Sequence, residues 1–384
     1  MARLIGGDLS RLRQLNALSA IRALRESGPL TLSALADRTG LSRPSTKEVT
    51  DELVALGWVE EVPPSPGTMG RPARRYRFRA ENGYLAGVDI GGHNVRVAVA
   101  DLDGRILAEA KRPVPPETPL EERLSAIEHA VSMCLDLGGI AMADLWTIAV
   151  GTTGTLRPDG SIAYSVAIPS WTGLDLGARL RAMFPCEVLV ENDSRLAALG
   201  ESRRGAARGA SDVVFLHLGL GMGAGLIIGG RVHQGFGGAA GEIVVLPEAR
   251  WLEATEHLNT CAVVPPGTPL EHAAGHTLAA ARSGDPVALE AVERYTDDVA
   301  IGAAALALIL DPQIIVLGGG FSRSADVLLP PLRERLERRC IRMPALAASD
   351  LGDECVVIGA IDYAAEHLES RLFTPDAGAL PLPR

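Results

Sequence analysis

Two segments about 130 residues apart share one layout, and this duplication constrains the fold more than any other feature of the chain. Residues 85–101 read as two β-runs around the glycine turn Asp89-Ile-Gly-Gly-His93. Residues 213–230 repeat the arrangement around Leu218-Gly-Leu-Gly-Met-Gly-Ala-Gly225. Residues 145–154 and 314–320 add two apolar strands that run into glycine loops. Strands alternating with alanine-rich helices indicate a mixed α/β architecture. A repeated strand-turn-strand unit then implies two similar lobes with a cleft between them. Glycine turns let backbone N–H groups approach a phosphate closely, although hairpins also use glycine for backbone reasons. At 384 residues with 47% apolar content, the chain can bury two or three domain-sized cores.

The first 80 residues have a different texture. Leu9, Leu12, Leu15, Leu18, Ile21 and Leu24 form an amphipathic helix that Gly28-Pro29 ends. Residues 31–40 read as a short helix closed by Gly40, and residues 42–57 as a second helix. In the second helix Ser42 caps the start, Pro44 is tolerated in the first turn and Gly57 ends it. Val49, Leu53 and Leu56 fall on one face. The N-terminal face offers Arg43, Ser45, Thr46 and Lys47, small polar or cationic groups suited to a major groove. Residues 58–62 and the alternating stretch 75–79 are strands flanking a Pro/Gly-rich loop. The order helix, helix, helix, strand, loop, strand is that of a winged helix-turn-helix. In the loop, Arg71 follows Gly70 and precedes Pro72, with Arg74 close behind. Such arginines can enter a narrow minor groove, so Arg71 and Arg74 are the wing candidates.

Charge follows the same division. Residues 1–80 hold 13 Lys+Arg against 8 Asp+Glu, whereas residues 81–384 hold 24 against 39. A basic head on an acidic body is expected when only the head meets a polyanion. The five cysteines (134, 186, 261, 340, 355) are scattered, without metal-ligand or disulfide spacing, which suits a reducing cytoplasm. No run is long and apolar enough for a membrane span, and the N-terminus does not read as a signal peptide.

Val190-Glu-Asn-Asp193 joins these features into a more specific set. Together with the helix-turn-helix, Gly70-Arg-Pro72, Asp89-Ile-Gly-Gly92, Gly237-Gly-Ala-Ala-Gly-Glu242 and Leu252-Glu253, the chain resembles the ROK family (repressors, open reading frames, sugar kinases) in its regulator branch. The resemblance spans roughly residues 12–368. It implies an α/β fold: a winged helix-turn-helix over residues 1–80, then a two-lobed, actin-like body of the sugar-kinase type. The lobes are expected over 81–195 and 196–355, with a helix near 356–370 returning to the first lobe and a tail at 371–384. By resemblance, Asn192, Asp193, Glu242 and Glu253 would bind a sugar-like effector, and Asp193 stands where a kinase keeps its base. Asp89, Gly91 and Gly92 would be a vestigial nucleotide turn.

Departures from the family pattern shape the functional expectation. Val245 stands in the place of a histidine that binds sugar and zinc, and the cysteine-rich zinc loop is deleted between Pro247 and Leu252. Ala167 replaces a sugar-binding asparagine, and His93 replaces a phosphate-turn threonine. No metal and no cofactor is therefore expected. The expectation is a cytoplasmic, non-enzymatic, sequence-specific regulator, a repressor in kind. It would bind a double-stranded operator as a homodimer or homotetramer, with a small carbohydrate effector in the cleft. The alternatives are an ATP-dependent hexose kinase and a DNA-binding regulator whose body only oligomerises.

Overall fold

The structure is a computed structural model that describes residues 9–63 and 73–372. The N-terminal unit comprises α1 (Leu9–Ser27), β1 (Leu30–Thr31), α2 (Leu32–Thr39), α3 (Arg43–Ala55), β2 (Val59–Val62) and β3 (Arg75–Phe78). Each boundary in the central pair has a local cause. Thr31 Oγ1 accepts the Ala34 N–H at 3.2 Å to open α2. Gly40, at φ 70°, closes it by donating its N–H to Ala36 O at 2.9 Å. Ser42 Oγ accepts the Ser45 N–H at 3.3 Å to open α3. β3 is the centre of a three-stranded antiparallel sheet, β1-β3-β2.

The body opens with β4 (Tyr84–Ile90), β5 (Asn94–Asp101), β6 (Ile106–Pro113), α4 (Leu120–Gly138) and β7 (Leu145–Thr152). The small hairpin β8 (Thr155–Leu156) and β9 (Ile162–Tyr164) follows, then α5 (Leu176–Met183), β10 (Glu187–Asn192) and α6 (Asp193–Arg204). Next come β11 (Val213–His217), β12 (Gly223–Ile228), β13 (Arg231–Val232), α7 (Trp251–Asn259), α8 (Leu270–Arg282) and α9 (Pro286–Leu310). β14 (Ile314–Gly318), α10 (Ala325–Glu337), β15 (Ala345–Ala348) and α11 (Cys355–Leu372) complete it.

The two large sheets have one topology. Their orders are β6-β5-β4-β7-β10 and β13-β12-β11-β14-β15. In each, the first three neighbours pair antiparallel and the last two pairings are parallel. The duplication legible in the glycine turns is therefore a duplication of whole sheets. β7 is buried along all eight residues, as a central strand covered on both faces must be.

α6 and α11 pack against each other at the junction of the sheets. α6 leaves β10 of the first sheet and packs on β11 and β12 of the second, whereas α11 packs on β4, β5 and β7. The expected division after residue 195 thus falls inside one continuous helix. The α6–α11 crossing is close enough to need glycine. A Cβ on Gly359 would lie 1.8 Å from Leu196 O, and one on Gly200 would lie 2.6 Å from Cys355 O.

The N-terminal unit is fused to the first lobe rather than tethered beside it. Trp58, fully buried, packs edge-on against Trp146 with ring centroids 5.6 Å apart. Arg25 donates to Asp103 Oδ1 and to Leu102 O, both at 2.9 Å, and to Glu369 Oε2 at 3.2 Å. Arg22 also pairs with Glu369, on the last turns of α11. Among the described residues, no helix is long and apolar enough to cross a membrane.

Candidate functional site

α3 presents an exposed cationic edge. Arg43 and Lys47, one turn apart, are both exposed, and Ser45 between them is half-buried with its hydroxyl 2.9 Å from Ser42 Oγ. Lys47 forms an i,i+4 ion pair with Asp51, whose hydrogen bond and charge raise the ammonium pKa. Thr46 corrects the sequence reading. It is 1% exposed, because it shares the inward face of Val49, Thr50 and Leu53, and its hydroxyl donates to Ser42 O at 2.9 Å. A groove cannot reach it. Arg74 is exposed and pairs with Glu61 at 3.1 Å, while Arg71 lies outside the described residues.

The second cluster forms where the two sheets meet. Asn192 caps α6: its Oδ1 accepts the Arg195 N–H at 3.2 Å, and its Nδ2 donates to Gly154 O at 3.1 Å. Asp193 follows, half-buried, accepting the Ser194 N–H at 2.6 Å. Burial raises the Glu242 carboxyl above its usual range; a hydrogen bond from Thr155 and the Arg195 charge oppose this, and the Asp193 charge adds to it. Asp89, on β4, is pushed up to about 7, first by burial and then by the Asp193 charge, against the pull of Arg96. The Asp193 charge thus acts on both Asp89 and Glu242, one from each side of the junction between the sheets. Glu253 is exposed in the first turn of α7, and among the described residues no hydrogen bond or ion pair ties it to Asp193 or Glu242.

The glycine turns separate into two kinds. A Cβ on Gly223 would lie 2.9 Å from the Ser194 hydroxyl, which can turn aside, whereas Gly225 is required by packing, since a Cβ there would lie 2.0 Å from Ser194 O. Gly91, Gly92, Gly219 and Gly221 are not: none has a left-handed φ, and an added Cβ would meet nothing closer than 3.5 Å. The missing side chains at these four positions leave access to the backbone. The buried Arg123 guanidinium props the first turn from behind, donating to Gly91 O at 3.1 Å and Gly92 O at 3.2 Å. Ala167 packs beside the same turn, its Cβ 3.9 Å from where a Gly92 side chain would begin.

Several residues escaped the sequence reading. Arg123 is one. The ion pair of Glu191 with Arg195, each 2% exposed, is another. Arg195 also donates to Gly238 O and Ala240 O, and Gln234 donates to Glu191, so the pair joins the first lobe to a loop of the second. Partners some 43 residues away in the chain leave no periodic trace.

Comparison with known proteins agrees with this geometry. The ROK family profile matches residues 85–245 and 255–367, and an IclR helix-turn-helix domain profile matches residues 15–63. The DNA-binding transcriptional dual regulator NagC of Escherichia coli is 27% identical over 367 residues, covering 89% of this chain and 88% of its own. A glucokinase of Streptomyces coelicolor is 29% identical over 318 residues, covering 74% of this chain and 98% of its own. Among solved structures, a ROK family transcriptional regulator described as a homologue of the Escherichia coli Mlc protein superposes with a TM-score of 0.73. That match, at 19% identity, covers 95% of this chain and all of the other. The glucokinase covers about three quarters of this chain, whereas the two regulators span nearly all of it. The chain belongs to the ROK family, and it carries a helix-turn-helix unit ahead of the two-lobed ROK body.

Proposed function

We propose that the protein is a sequence-specific DNA-binding transcriptional regulator, a repressor in mode, whose interlobe cleft senses a small carbohydrate-like effector. The observation that carries the reading is the α3 edge. Arg43 and Lys47 stand one turn apart and exposed, on a helix whose other face is locked into a folded helix-turn-helix core. Arg43, Ser45 and Lys47 would meet the major groove, and Arg71 and Arg74 the wing contacts. In the cleft, Asn192, Asp193 and Glu242 supply an amide and carboxylates suited to hydroxyls, and Glu253 would join them only through closure. Effector binding would shift the population of lobe arrangements and so the setting of the heads.

Binding of the full chain to DNA from its own genomic neighbourhood tests the claim. Each of Arg43→Ala and Lys47→Ala should weaken operator binding and lower the steepness of log K against log salt by about 1. Unchanged affinity and slope in both variants would refute the assignment.

A second reading, an ATP-dependent hexose kinase, rests on one observation: the open backbone at Gly91, Gly92, Gly219 and Gly221. Asp193 would then be the base. The Ser194 N–H and hydroxyl already engage Asp193 Oδ1, and Ala167 and Val245 supply no polar grip on a sugar. ADP release at about 1 per second or faster on any hexose would favour the kinase.

A further inference from the structure

A cavity of about 280 Å³ lies beside the cleft, on the flank of the first lobe. It is bounded by the β8–β9 turn, by β10, by the Gln234–Gly238 loop of the second lobe and by Tyr363 of α11. β10 is the last strand of its sheet, so its outer edge has no strand partner and faces this space. The volume is at the small end for ligand sites, suiting a metabolite rather than a cofactor.

Three arginines line it: Arg157, Arg181 and Arg195. Arg195 is the buried one. Its two terminal nitrogens are spent on Glu191, Gly238 O and Ala240 O, while its Nε–H is enclosed and has no hydrogen-bond partner. A buried donor left unpaired is costly, and such groups mark places where a partner is missing. Glu191, the acid at the back wall, is already neutralised by Arg195 and also holds Gln234 and the Asn192 N–H. Arg157 and Arg181 at the rim keep weaker partners. Arg157 donates to Ser161 Oγ at 3.3 Å, and Arg181 approaches Asp175 only to 3.9 Å. The opposing charge is Asp159, whose Oδ1 is taken by the Ser161 N–H at 2.9 Å and hydroxyl at 2.7 Å.

We infer that this cavity is a second ligand site, distinct from the cleft, for a small polar molecule carrying a phosphoryl or carboxylate group. Planar guanidinium forks match both groups, so the two at the rim can take up an oxyanion while the Arg195 charge lies behind them. The walls come from both lobes and from α11, so an occupant would tie the hairpin of the first lobe to the Gln234 loop of the second. The inference stands independently of what the cleft binds.

Calorimetric titration and thermal shift of the full chain test it, with glucose 6-phosphate, inorganic phosphate, glucuronate and neutral glucose at matched ionic strength. At least one charged probe should bind saturably, and glucose should not mimic it. The double variant Arg157→Gln/Arg181→Gln alters exposed residues and should fold with an unchanged melting temperature, yet weaken that probe about tenfold or more. Asp193→Asn should leave the probe's affinity unchanged, because Asp193 belongs to the cleft. A response to the phosphates alone assigns a phosphoryl ligand, and one to glucuronate alone a carboxylate. Glucose binding that the arginine variant leaves unchanged belongs to the cleft; equal binding of the charged probe by the arginine variant, or the absence of any saturable response to a charged probe, overturns the proposal.

Discussion

At the scale of single residues, Asp89 makes the sharpest prediction. Its carboxyl titrates near 7 in the folded protein, raised chiefly by burial, against about 4 in an unfolded chain. Between those values the folded state binds more protons, so stability is lost as pH rises from about 4 to about 7 and levels off above. Asp89→Asn should flatten this trend: the fall in melting temperature between pH 5 and pH 8 should shrink relative to wild type. An equal fall in the variant would place the titrating group elsewhere. The residue scale also shows what a sequence conveys and what it hides. Thr46 lies three residues before Val49 and seven before Leu53, so helical period alone puts it on the buried face. Its hydroxyl suggested a groove contact, but periodicity outweighs polarity when a hydroxyl can bond a carbonyl one turn back. Arg195 is a mixed case, because its ion-pair partner Glu191 lies just four residues back on the chain. Nothing near it in sequence announces that its other partners are carbonyls more than forty residues on.

At the scale of elements, α2 and α3 were legible because each carries its own stop and start, Thr31, Gly40, Ser42 and Pro44, whereas the two-residue strand β1 was not, since it forms only by pairing with β3. In the body the apolar runs at 85–101, 145–154, 213–230 and 314–320 were legible as strands, whereas the remaining edge strands and the strand order came only from the structure. The α6–α11 contact was not legible, since an alanine-rich helix with one glycine does not say which helix it touches. That contact yields a paired prediction. Gly359→Ala puts a methyl onto backbone atoms of Leu196, which cannot swing away, and should cost about 1–3 kcal/mol or more. Gly275→Ala, at an exposed position of α8 with nothing within 4 Å of the new methyl, should instead stabilise by about 0.5–1 kcal/mol. Denaturation midpoints measured side by side should move in opposite directions, and a shift of both the same way would contradict the packing argument.

At the scale of the whole molecule, charge and architecture agree. The cationic excess lies in the head and the anionic excess in the body. Like-charge repulsion between body and DNA then leaves the head as the approach surface. The Trp58–Trp146 contact and the Arg22 and Arg25 pairs with Glu369 add a consequence for the DNA itself. A head welded to its lobe cannot swivel to follow a displaced half-site, so the two heads of a dimer would read the helical phase of their operator. Five extra base pairs between half-sites turn the second onto the far side of the duplex, and about ten bring it back one turn further along. Affinity measured by anisotropy on such spacers should collapse at five. Tolerance of the half-turn insertion would mean that the junction yields. With a rigid junction, a half-turn change in operator spacing becomes a way to release the protein that leaves the sequence of each half-site untouched.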